Sequence, residues 1–321
     1  MPIHGEVSEV ASVQMAVGEK WTVRRCRYSA GGENGRRVCL VTGVHGDEMM
    51  GQLALYDIAK RIKAAPQCLC GTVDLYPMVN PLGLDTGTRM VPSATYLDMN
   101  RAFPGAEDGT AMEHICHRLF KDMKGADLVL DIHASSQITS GLFSVRLHEC
   151  GKNTDALISE AKALCPQVIW VLPGKARYNA MLTGALTEAG TTALLLEIDE
   201  RRLRTQMMVD MMVDGIFCKL REMGVWTGEA REISTEKIPS MRIEKDACRV
   251  TCTKPGMFIP QEKIGQVVKE GDVLGVIFDA LLGEELETVL APQSGLIFSQ
   301  RRYSAVYPGT LIARICREER A

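Results

Sequence analysis

The chain has 321 residues, 46% of them hydrophobic and 24% charged, with a formal net charge of −3. That length suits one large or two ordinary domains, with ample apolar material for a core. Its basic residues are scattered, which argues against a nucleic-acid surface, and no apolar run is long enough to cross a bilayer.

The opening segment, MPIHGEVSEV, has neither a basic leader nor an apolar core, so no secretory signal and a cytoplasmic location are expected. Residues 21–28 and 37–44 read as strands joined by a Gly-Gly-Glu-Asn-Gly hairpin turn. A helix over 47–64 follows, with Met50, Leu53, Ala54, Ile58 and Ile62 at helical period. A strand over 71–79 stops at Asn80-Pro81. Residues 80–105 form a long irregular segment rich in Gly, Pro and Asp, a length that in a compact domain usually marks function. Then come a helix (109–124), a strand (127–132), a helix (153–164), two short strands (168–172 and 192–197) and a helix (201–224). The alternation predicts a mostly parallel sheet with helices on both faces.

After about Gly228 the helical period gives way to short β segments at 248–253, 265–268, 273–278, 287–291, 296–299 and 311–315. Gly and Pro punctuate them, which predicts a small all-β barrel or sandwich. The expected division is therefore residues 1–228 and 229–321, with the N-terminal segment available as a first strand of the second unit. The 11 cysteines are dispersed and odd in number, which fits reduced, mostly buried thiols.

The stretch VTGVHGDEMMGQ (41–52) carries the strongest chemical signal. An apolar strand runs into a Gly-rich turn that presents His45 and Glu48, an imidazole and a carboxylate three residues apart. Zinc accepts both donor types, and catalytic sites commonly use three protein ligands plus a water. A third ligand is expected at the end of another strand, and the buried-looking run ADLVLDI ends directly on His133. In open α/β sheets such sites gather outside the carboxyl ends of the strands. His4, His148 and the helical pair His114 and His117 read as ordinary, because no third ligand accompanies them.

The ordered set HGDE (45–48), NPLG (80–83), Arg89, DMNRAFPG (98–105), DIHAS (131–135) and LLLEID (194–199) resembles the succinylglutamate desuccinylase/aspartoacylase family of the zinc carboxypeptidase superfamily. The likeness spans about residues 36–200; the family's DLNR stands here as DMNR. It implies a carboxypeptidase-like α/β fold, one zinc per chain, and hydrolysis of an amide bond in a small N-acylated amino acid. By the same resemblance His45, Glu48 and His133 hold the metal and Glu197 is the general base. Arg89 would stabilise the oxyanion, and Asn100 with Arg101 would bind a substrate carboxylate. Asp98 would orient a metal-bound imidazole, and the Arg177–Tyr178 loop would supply further substrate contacts.

The residue chemistry agrees with those roles. A forked guanidinium beside an amide suits a carboxylate, and a glutamate ending a buried strand suits a base. Glu197 has two competing readings, an ion pair with Arg201 or Arg202 and replacement as base by Asp199 on the same strand face. Residues 265–298 resemble the barrel-sandwich of biotinyl and lipoyl carriers, but the turn at 279–285 has no lysine to modify. That unit is expected to narrow access to the cleft or to mediate subunit contacts, which leaves a homo-oligomer open. Two other functions compete: a metallocarboxypeptidase acting on short peptides, and a binding module whose metal site is vestigial.

Overall fold

The computed structural model describes residues 4–16, 18–30, 35–92, 97–135, 138–149, 153–199, 205–230, 242–245, 247–261 and 263–317. Ten strands precede the C-terminal β region: β1 (Glu6–Gln14), β2 (Lys20–Ser29), β3 (Arg37–Thr42), β4 (Thr72–Tyr76), β5 (Leu128–Ala134), β6 (Thr139–Gly141), β7 (Ser144–His148), β8 (Val168–Leu172), β9 (Ala193–Ile198) and β10 (Arg242–Glu244). All but β6 form one sheet in the order β1-β2-β4-β3-β5-β9-β7-β8-β10. Pairing is parallel among β4, β3, β5 and β9, and again through β7, β8 and β10; β1-β2, β2-β4 and β7-β9 are antiparallel. The expected mostly parallel, helix-covered sheet is present.

Its central strands are near-continuous apolar runs because both faces are covered. Along β3 the side chains alternate between two cores: Val38 and Leu40 on one face, Cys39 and Val41 on the other. Helix α1 (Met50–Ala64) covers the first face with Ala54, Leu55, Ile58 and Ile62. The sequence reading put Leu53 on that stripe; Leu53 is exposed and Leu55 takes the place. A second helix, α2 (Pro81–Thr86), lies inside the segment expected to be irregular. Helix α3 (Ala111–Met123), opened by a Thr110–Glu113 capping box, covers the second face. Helices α4 (Thr154–Lys162), α5 (Ala176–Asn179), α6 (Leu182–Glu188) and α7 (Thr205–Glu222) complete the layers.

The expected hairpin between 21–28 and 37–44 does not form. β2 pairs instead with β1 and β4, and β3 lies between β4 and β5. The patterns explain why: β2 mixes buried and exposed positions, which suits the sheet's flank, whereas β3 is buried almost throughout and needs parallel neighbours on both sides. Residues 31–34 of the expected turn lie outside the described residues. The N-terminal strand β1 joins the edge of this large sheet rather than the β region.

The C-terminal β region packs two sheets around their own core. One sheet holds β11 (Cys248–Thr251), β13 (Val267–Val268), β16 (Gly295–Arg301) and β18 (Leu311–Cys316). The other holds β12 (Gly256–Pro260), β14 (Val273–Phe278), β15 (Glu285–Leu290) and β17 (Ala305–Val306). Division at residue 228 is crossed twice: β10 extends the large sheet beside β8, and β6 pairs with β16. Among the described residues, no helix is long and apolar enough to cross a membrane.

Candidate metal centre and active site

Three neighbouring strands, β3, β5 and β9, end at the same edge of the sheet. Beyond β3 the chain turns at Gly43, whose φ of +70° is left-handed and whose missing Cβ makes room for Met78. Gly46 packs against the backbone of Gly83, so close that a Cβ would lie 2.0 Å from its carbonyl carbon. That contact seats the HGDE turn on the NPLG segment. Glu48 sits in this turn, ahead of α1, and its N–H donates to the His45 carbonyl at 3.4 Å. The sequence reading began the helix at 47; the turn continues to Met49.

His45, Glu48 and His133 are all buried, and their donor atoms lie within 4.8 Å of one another. The Nδ1 atoms of the two histidines are 3.1 Å apart and lie 2.9 and 2.8 Å from the Glu48 oxygens. On the far side of each ring, Nε2 meets a carboxylate: Asp98 at 3.1 Å for His45 and Asp131 at 3.0 Å for His133. Those carboxylates assign both rings the Nε2–H tautomer, which leaves lone pairs on the converging Nδ1 atoms. Two nitrogen acceptors and a carboxylate aimed at one point require a cation. The charges agree: Glu48, Asp98 and Asp131 against Arg89 leave a formal −2, the balance for a divalent ion. The donor set therefore fits a metal.

In its absence, electrostatics draw protons in. Burial opposes a charge on His133, yet Asp131 and Glu48 outweigh it and push the ring up to about 10. Burial would likewise raise Glu48, but the two imidazoles hold its carboxyl well below the usual range. Asp98 is held down in the same way, by its bond to His45 and the charges of His45, Arg89 and Arg101 against the effect of burial.

Arg89 reaches the cluster directly, donating to Glu48 at 2.9 Å and to Asp98 at 3.3 Å. Asn100 is buried; its carbonyl oxygen accepts the Leu182 N–H at 3.0 Å, and its amide nitrogen lies 3.4 Å from His133 Nε2. Arg101 is exposed at the rim, where Nη1 donates to the Asn100 carbonyl. The buried context expected around MNRAF thus holds for Met99, Asn100 and Phe103 and not for the arginine itself. Tyr178, on α5, is half-buried against Leu172, Met181 and Leu195; the Arg177 side chain lies outside the described residues.

Glu197 pairs in register with His133 across β5 and β9, so the two side chains share a face. Its ion-pair partner is Arg146 on β7, at 3.0 Å. The expected partners Arg201 and Arg202 lie outside the described residues. Its rival Asp199 is buried and accepts from the Ser135 hydroxyl at 3.1 Å. His148 is buried with Nε2 2.8 Å from the Thr183 hydroxyl, and among the described residues no carboxylate answers it, so burial drives its pKa down to about 4. His114 and His117 stay on the α3 surface near Glu107.

Sequence reasoning missed Asp131 and Arg146. The signal for Asp131 was present, two residues before His133 on one strand face. Arg146 sits in a strand that was itself not anticipated. Beside the cluster opens a cleft of about 850 Å³, with Asp47 and Arg89 on one side and Arg301, Tyr303 and Tyr307 of the β region on the other.

The fold is carboxypeptidase-like, and its convergent His-Glu-His cluster could hold a metal. A metallo-carboxypeptidase from Burkholderia cenocepacia shares the fold at 16% identity and a TM-score of 0.56, over 68% of this chain and 65% of that one. The chain belongs to the succinylglutamate desuccinylase/aspartoacylase family, whose catalytic domain matches residues 34–222. It is similar to an N-alpha-acetyl-L-2,4-diaminobutyric acid deacetylase of Halomonas elongata, 25% identical over 88% of this chain and 82% of that protein. The product-bound ectoine utilization protein EutE (DoeB) of Ruegeria pomeroyi has the same fold, with 21% identity and a TM-score of 0.83 over 98% of each chain.

Proposed function

We propose that this chain is a zinc-dependent deacylase that hydrolyses the amide bond of a small N-acylated amino acid. The observation that carries the reading is the convergence of His45, Glu48 and His133 beside Glu197 on three adjacent strand ends. Two imidazole nitrogens and one carboxylate suit a catalytic zinc, one per chain. When bound, zinc polarises the carbonyl and lowers the pKa of water at the site.

The chain's own residues do the rest. Glu197 accepts the proton of the attacking water and delivers it to the departing amine nitrogen. Arg89 donates to the oxygen on which negative charge develops. Arg101 at the rim and the buried Asn100 beside it hold a substrate carboxylate, and Asp98 and Asp131 keep the ligating rings in one tautomer. The named activity of the Halomonas relative supports including an N-acetylated diamino acid in the substrate panel.

The test is metal content by elemental mass spectrometry on the wild type and His133→Ala, beside turnover of N-acetyl and N-succinyl amino acids and short peptides. About one zinc per wild-type chain, lost in the variant, with turnover of the N-acyl amino acids is the expected result. Cleavage confined to peptides would make the protein a carboxypeptidase. No metal after zinc loading, and no thermal stabilisation by zinc, would make it a binding module.

A further inference from the structure

Glu197 also lines a second, small polar cavity whose other charged residues none of the roles above uses. On one face of the sheet, register brings together Arg146 of β7, Trp170 of β8 and Glu197 of β9. From the other side β18 inserts Arg314 and β16 contributes Ser299. The guanidinium carbons of Arg146 and Arg314 each lie 5.0 Å from the Trp170 ring centroid.

The charges in this cavity do not balance. Arg146 is matched by Glu197 at 3.0 Å, while Arg314 has no ion-pair partner among the described residues and donates only weakly, at 3.4 Å, to the Ser299 hydroxyl. Burial and the nearby positive charges of Arg146 and Arg249 push Arg314 down to about 10. Arg146 Nε is also buried without an acceptor. A forked cation confined beside a second one, with donors unspent and serine hydroxyls around it, is an unfilled anion site. The cavity measures about 30 Å³, room for two or three waters, the size of a carboxylate and too small for a whole amino acid.

We infer that Arg314 and Arg146 form a subsite for a ligand carboxylate, supplied jointly by the two parts of the chain. The subsite lies on the Glu197 side of the metal cluster, distinct from the Asn100–Arg101 rim. Given the hydrolase reading, on which this part rests, the substrate carries a second carboxylate, in its acyl group or its amino-acid side chain. The β region then contributes a specificity residue, Arg314, and is more than a wall.

Binding can be tested without catalysis or metal. Trp170 reports on the site, while the other two tryptophans, Trp21 and Trp226, lie in separate cores. Exchanging chloride for succinate or acetate at constant ionic strength should change tryptophan emission saturably in the wild type. Trp170→Phe should abolish the change, and Arg314→Met should move its midpoint up about tenfold or more. No saturable change, or an unshifted midpoint in Arg314→Met, overturns the subsite; Arg314→Gln is read the same way if the Met variant does not fold. In turnover, Arg314→Met should raise KM for N-acyl amino acids with a second carboxylate and leave KM for those without it unchanged. Equal effects on both would overturn the specificity role. Failure of turnover in the wild type would count against the hydrolase reading alone, since the emission titration stands apart from it.

Discussion

Two carboxylates are buried, Asp74 within the large sheet and Glu48 in the turn at its strand ends, and their surroundings differ. Asp74, on β4 and fully buried, is met by donors: Arg27 binds it through two nitrogens at 2.7 and 2.8 Å, and Arg37 at 2.7 Å. Arg37 continues the network to Tyr76, whose hydroxyl donates to Asp122, and Arg25 closes it on Asp122. Against the effect of burial, those guanidiniums hold Asp74 below the usual carboxylate range. Glu48 accepts from Arg89 and the Ala134 N–H, and it also faces two imidazoles that have already given their Nε2–H bonds to other carboxylates. One acid is satisfied within the fold and ties strands β2, β3 and β4 together. The other faces two imidazole nitrogens whose lone pairs are satisfied only when protons or a cation enter, which is what distinguishes a site from a strut.

Substitution separates the two kinds of acid, and the largest effect should fall on chemistry. Glu197→Gln should keep zinc and lose about 10²–10⁴-fold in turnover; near-full turnover with zinc bound would remove Glu197 as the base. Asp74→Ala strips Arg27 of its counter-charge and leaves Arg25 and Arg37 only Asp122, so it should destabilise the fold by about 3 kcal/mol in urea denaturation. If Asp74→Ala unfolds no more easily than the wild type, the network is not a strut.

The histidines extend the contrast. His148, buried with no carboxylate among the described residues, has a folded pKa of about 4, below its unfolded value near 6.5. Its contribution is therefore present above about pH 6.5 and is lost as pH falls towards 4, by roughly 3 kcal/mol. Denaturation midpoints at both pH values, for the wild type and His148→Gln, test this; equal acid sensitivity would refute it. His133 runs the other way. Raised to about 10, its protonated form stabilises the metal-free protein below pH 6.5, and that stability is lost as pH rises through 10. Protons and metal compete there, so zinc affinity should climb from pH 6 to pH 8, with protons released on binding. A pH-independent affinity by calorimetry would contradict the geometry.

The smallest effects should come from the acids behind the rings. Asp98→Asn and Asp131→Asn should each lower zinc affinity about 10–100-fold while the fold survives. An affinity unchanged in Asp131→Asn would leave Asp98 as the only orienting carboxylate.

Much of this was legible before any coordinates. HGDE and DIHAS stand out as candidate ligands because a metal needs particular donors, and the run of apolar residues before each marks a buried parallel strand. Helices α3 and α4 and strand β8 stand within two residues of where periodicity put them. Such signals are local: they depend on residues within a turn or a strand of one another.

What only the tertiary structure decided is long-range. Strand order along the sheet, the strand exchange between its two parts, and the partners of buried charges all join residues far apart in the chain. Glu197 draws its counter-charge from Arg146, and His133 shares Glu48 with His45. Arg314 faces Arg146, far earlier in the chain, and no motif announces the pair. Periodicity reports which face of an element is apolar. It carries no information on which other face will cover it, because that choice is settled by burial summed over the whole chain.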